Sequence, residues 1–107
     1  MEVKIFNKLV RDEIPNIIKQ RNGTPKTRVL SDEAFVLELK KKLQEEVDEF
    51  MADESIEELA DIMEVIHAFL DVKQKTFTEL ESLRKEKAKN RGGFAKRIFL
   101  ESVENPY

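Results

Sequence analysis

The chain has 107 residues, with 19 lysines and arginines against 22 aspartates and glutamates, a formal charge of −3, and no cysteine. That length predicts a single domain spanning 1–107, and the missing cysteines exclude disulfides, thiolate nucleophiles and zinc–thiolate sites. No apolar run approaches the ~20 residues of a membrane span, and the opening MEVKIFNKLV lacks a signal-peptide core. The expectation is therefore a cytoplasmic protein with no membrane partner.

In chain order, residues 2–6 (EVKIF) alternate weakly and suggest a short strand. A first helix follows, with Asp12 as its expected N-cap and Pro15 in the first turn, where a missing N–H costs little. Ile14, Ile17 and Ile18 give it an apolar side, and Asn22-Gly23 should end it in a left-handed cap. Residues 26–30 read as a second strand. Ser31 then caps a helix carrying Val36, Leu39, Leu43, Val47 and Phe50 at steps of three and four. The stretch MADESIEE interrupts that pattern, and Ser55 with Glu58 fits a capping box for the next helix. This third helix holds Ile56, Leu59, Ile62, Met63, Ile66, Phe69 and Leu70, an apolar face broader than one partner helix covers. Thr76 and Glu79 form another capping box, opening a helix expected to end near Asn90. Gly92-Gly93 makes a turn, and residues 94–100 suggest a third strand. The expected fold is all-α, an antiparallel helical bundle with these short peripheral strands.

The chemistry concentrates in acids. Glu45, Glu46 and Glu49 form E-E-x-x-E, neighbours at helical spacing. Glu58 and Asp61 form E-x-x-D one turn apart on the next helix. If the two helices pack antiparallel, the groups face each other. Like charges so placed repel, and a bound cation reverses the sign of that cost. Hard oxygen ligands suit Mg²⁺ or Mn²⁺, and two such ions about 3.5–4 Å apart clamp a phosphoanhydride. The competing view is that these glutamates are an ordinary solvated helix face and that Glu58 only serves its cap. Asp61 resists that view, because aspartate is a poor residue inside a helix.

Taken in order, the blocks NKLVRDEIPNII, KLQEEVDEF, EELADIMEVI and NRGGFAKRIFLE resemble the all-α nucleoside triphosphate pyrophosphohydrolases, the MazG-like superfamily, and within it a small phosphoribosyl-ATP pyrophosphohydrolase-like subgroup. Eight residues separate Glu49 from Glu58. That linker is shorter than is usual in MazG domains, so the turn must be tight and Glu58 is the weakest member of the set. The resemblance implies Glu46, Glu49 and Asp61 as metal ligands. It implies Glu45 as a ligand or as the holder of the attacking water, and Glu58 as an additional ligand. It implies Mg²⁺-dependent cleavage between the α and β phosphates of a nucleoside triphosphate, giving a monophosphate and pyrophosphate. It also implies a homodimer or a dimer of dimers. The alternatives are phosphoribosyl-ATP hydrolysis in histidine biosynthesis and a non-catalytic helical module that binds nucleotides or a partner.

A polyphosphate also needs cations. Lys8 and Arg11, and then Arg91, Lys96 and Arg97, are the candidates for touching substrate. Against this, Arg11 has the ordinary role of pairing with an acid. His67, the one histidine, reads as a core or interface residue. Phe35, Phe50, Phe69, Phe77, Phe94 and Phe99 read as core. They are not interleaved with bases as a nucleic-acid stacking platform requires, so no nucleic-acid partner is expected.

Overall fold

The computed structural model describes residues 2–106, and among them it contains four α-helices and no strand: α1 (Ile14–Gln20), α2 (Asp32–Asp53), α3 (Ile56–Val72) and α4 (Phe77–Arg91). The all-α expectation holds. The chain divides into two compact units, Met1–Gln74 and Lys75–Tyr107. The three expected strands are absent, since residues 2–6, 26–30 and 94–100 carry no ladder and are almost wholly exposed. A strand exists only through its partner. None of these segments meets one, so their alternation remains a composition without a structure.

In the first unit, α1 begins differently from expectation. Its N-cap is Glu13 rather than Asp12, in a helical conformation and with no side-chain cap bond. Pro15 still sits in the first turn. The other end is as expected: Asn22 takes the left-handed conformation (φ 66°), and the Gly23 N–H donates to the Ile18 carbonyl at 2.9 Å. A Cβ on Gly23 would lie 2.6 Å from Ile18 Cγ2, so glycine is what lets the chain close against α1.

α2 and α3 form an antiparallel hairpin, the packed helix pair of the unit. Each starts on a serine cap. Ser31 Oγ accepts from the Ala34 N–H at 3.2 Å, and Ser55 Oγ accepts from the Glu58 N–H at 3.3 Å. The acids Asp32, Glu33, Glu57 and Glu58 lie at the positive ends of the two helices. α2 does not stop at Met51; it runs on to Asp53. Glu54 turns the chain with φ 59° and donates its N–H to the Phe50 carbonyl at 2.7 Å. A two-residue hinge therefore joins the helices.

The interior of this hairpin is thin. Leu39 (1% exposed) and Val65 (7%) are its buried apolar residues, and Phe35, Phe50 and Phe69 are half-buried around them. The broad apolar face of α3 stays partly open, with Ile56 79%, Leu59 44% and Met63 42% exposed. Among the described residues no helix is long and apolar enough to cross a membrane.

In the second unit Thr76 caps α4, its Oγ1 accepting from the Glu79 N–H at 3.1 Å. The helix ends one residue beyond the expected Asn90, at Arg91, and Gly92 leaves it with φ 83°. Phe94 and Phe99 are not core: they are 98% and 87% exposed. Both lie in the stretch expected as a strand, and with no sheet among the described residues to cover them they stand in solvent. Phe77 is 40% exposed.

Candidate metal centre

The hairpin explains how four acids converge. Glu49 and Glu58 stand equally far along the chain from the Asp53–Glu54 junction, where the hinge begins. Glu46 and Asp61 do too, each one helical turn further out. Antiparallel packing therefore sets E-x-x-E on α2 opposite E-x-x-D on α3. Glu46, Glu49, Glu58 and Asp61 each offer one carboxylate oxygen to a group whose members all lie within 4.8 Å of one another. Two ligands across a magnesium ion are about 4.2 Å apart, and across calcium about 4.6–5.2 Å. A set of this size and chemistry fits a hard divalent cation after a small contraction.

Burial strengthens the case. Glu46 is 6% exposed. Its Oε2 and that of Glu58 are buried with no hydrogen-bond partner. A solvated helix face leaves no such oxygens. Nor is the Glu58 carboxylate spent on the cap: its backbone N–H serves Ser55, while its side chain turns inward. Burial, and after it the neighbouring Glu49 carboxylate, pushes the Glu46 carboxyl above the ordinary glutamate range. Two cations reach these four carboxylates, Arg11 at Asp61 and Lys42 at Glu46, so the acids outnumber their protein partners.

Glu45 lies outside the four, rotated round α2 to the rim. Its Oε1 accepts from Lys8 Nζ at 2.9 Å and its Oε2 from Lys42 Nζ at 3.4 Å. The Lys8 hydrogen bond, chiefly, holds Glu45 below the usual carboxylate range and raises the Lys8 ammonium in return. Lys42 also approaches Glu46 Oε1 at 3.4 Å. Sequence reasoning passed over Lys42, although its position three and four residues before the two glutamates is the signal that finds it.

The N-terminal cations divide between the acids. Lys8 reaches Glu45, and Arg11 Nη2 donates to Asp61 Oδ1 at 2.6 Å. Beside this rim lies an open cleft of about 650 Å³ with a mixed lining: apolar Leu9, Phe35 and Val65, the cations Arg11 and Lys42, and acids that include Glu46, Asp61, Glu64 and Asp71. His67 also lines it, half-buried. The remaining basic candidates belong to the second unit. Arg91 is the last residue of α4, and Lys96 and Arg97 sit in the turn after Gly92-Gly93, where the Arg97 N–H donates to the Phe94 carbonyl at 3.1 Å. All three are exposed.

No protein-family model, no curated protein and no solved structure matches this chain.

Proposed function

We propose that the chain is a divalent-cation-dependent nucleotide pyrophosphohydrolase, acting on the α–β anhydride of a nucleoside triphosphate to give a monophosphate and pyrophosphate. One observation carries this: four carboxylates from two helices converge within 4.8 Å, and two of their oxygens are buried and unpartnered. Glu46, Glu49, Glu58 and Asp61 hold the cation, Mg²⁺ in the cell with Mn²⁺ as a substitute. When bound, such an ion neutralises phosphate charge and makes a nearby water more acidic.

The chain's own groups supply the rest. Glu45, kept ionised by Lys8, is suited to accept a hydrogen bond from the attacking water and to orient it. Lys8, Arg11 and Lys42 bring positive charge to the phosphate end. Arg91, Lys96 and Arg97 remain proposed substrate contacts. The open cleft that includes Glu46 and Asp61 offers room for the nucleoside, with Leu9, Phe35 and Val65 as apolar surface among its charged lining. The exposed face of α3 supports a homodimer, or a dimer of dimers, as the working form.

Pyrophosphate release from a panel of nucleoside triphosphates, with and without Mg²⁺, tests the reading, and phosphoribosyl-ATP belongs in the same panel. Turnover of phosphoribosyl-ATP alone reassigns the substrate. A second reading, a cation-binding module without turnover, is favoured by the way Lys8, Arg11 and Lys42 already offset the acids. Metal binding without pyrophosphate release from any substrate would establish it.

A further inference from the structure

We propose that residues Lys8–Arg11 form an internal counter-ion strap, in which Arg11 occupies Asp61 until a divalent cation displaces it. Metal binding and release of the strap are then one event. The inference rests on the metal-site reading above and adds to it a competitor built into the chain.

Three observations converge on the strap. The Arg11 guanidinium is 2.6 Å from Asp61 Oδ1, one of the four converging ligands. A dication on that carboxylate would place two positive groups within roughly 5 Å, a repulsion worth about tenfold in affinity even at a water-like dielectric. The strap is also weakly held. Residues 2–11 have no helix or strand, and within the strap Lys8, Val10 and Arg11 are exposed while Leu9 is half-buried along the cleft. Its polar anchors are the Arg11–Asp61 and Lys8–Glu45 pairs, with the two cations 55% and 42% exposed, and ion pairs this open exchange readily. Finally, Asp61 belongs to the four converging acids and Glu45 sits on their rim next to Glu46, so a cation bound among the four weakens both anchors. Once free of Asp61, Arg11 remains beside the site, where the phosphates of an incoming ligand are its natural partner.

The test uses the full chain and Mn²⁺ alone. Calorimetry gives the Mn²⁺ affinity of the wild type, Arg11→Gln and Arg11→Lys, while hydrogen exchange follows residues 2–13. The expected result is about five- to tenfold tighter Mn²⁺ binding by Arg11→Gln, with Arg11→Lys near wild type. Exchange across 2–13 should rise when the wild type is saturated with Mn²⁺ and be raised already in metal-free Arg11→Gln. Equal or weaker Mn²⁺ binding by Arg11→Gln, or unchanged exchange in the saturated wild type, overturns the strap and leaves the metal centre standing. Absence of Mn²⁺ binding in all three proteins overturns both. If Arg11→Gln loses its helical signal, the exchange response of the wild type and the affinity of Arg11→Lys decide.

Discussion

Glu46 on α2 and Glu58 on α3 each turn one carboxylate oxygen into the protein without a hydrogen-bond partner. They do so from facing helices, within one cluster of four acids. A buried carboxylate in that state weakens the fold unless something completes it. The pairing is therefore a local cost to stability that a bound cation would relieve.

Replacing Glu46 by Gln should raise the stability of the metal-free protein by about 1–2 kcal/mol, because an amide can donate to the neighbouring carboxylates and carries no charge. Burial raises the Glu46 carboxyl above its ordinary value in the folded state. Its contribution to stability is thus fully present below the ordinary carboxylate range and is lost as pH rises through the raised value. Wild type and Glu46→Gln should accordingly converge in acid and separate toward neutrality. Urea denaturation at several pH values, without metal, measures the gap. A variant less stable than wild type at neutral pH would contradict the buried-charge account.

Glu49→Gln and Asp61→Asn should remain helical and lose pyrophosphate release. They should also lose most of the thermal shift produced by Mg²⁺. At ~100 times its dissociation constant a ligand stabilises by about 2.7 kcal/mol, which for a small domain is a rise of several degrees or more. Differential scanning fluorimetry with Mg²⁺, and then with EDTA, reads the effect. Asp61→Asn also removes the Arg11 pair, a surface interaction worth at most about 1 kcal/mol. A large loss of metal-free stability in that variant would point to a structural role.

The sequence announced the acidic centre because helical period and hinge position are both written in it. Residues at i and i+3 share a face, and a short break between two such faces sets E-x-x-E against E-x-x-D. The serine caps at Ser31 and Ser55 were legible for the same reason, since a cap is a local bond within one turn. What failed depended on partners. The strands at 2–6, 26–30 and 94–100 needed neighbours that local alternation cannot specify, and Phe94 and Phe99 needed a layer to cover them. Lys8–Glu45 and Arg11–Asp61 join residues 37 and 50 positions apart. The sequence offered both cations as substrate contacts and an acid partner for Arg11 as the plain alternative, but did not say which acid. The thinness of the core was partly visible in the over-broad face of α3.

That thin core makes single positions expensive. Leu39 is 1% exposed and, with Val65, forms the buried apolar centre of the hairpin. Leu39→Ala should cost about 2–4 kcal/mol, the range for emptying a filled core position. It should also lower metal affinity, because the same packing holds α2 and α3 at the separation the four carboxylates require. Thermal melts and Mn²⁺ titration, run together, check the coupling. Destabilisation with unchanged metal affinity would show that the hinge alone sets the site.

The last expectation concerns what covers α3. Ile56, Leu59 and Met63 lie along one helix and are at least 42% exposed, more apolar surface than a lone hairpin ordinarily leaves in water. A second copy bringing the same face would bury it in an isologous contact, the commonest closed arrangement for a homodimer. Sedimentation equilibrium should give a dimer or a dimer of dimers at micromolar chain concentration. Met63→Lys should shift the population toward monomer, because a buried ammonium would face its symmetry mate across the contact. Melting temperature should then fall and cease to depend on protein concentration. A wild-type chain that stays monomeric across the whole range, with a concentration-independent melt, would remove self-association as the cover for this face and leave the hairpin stable on its own small core.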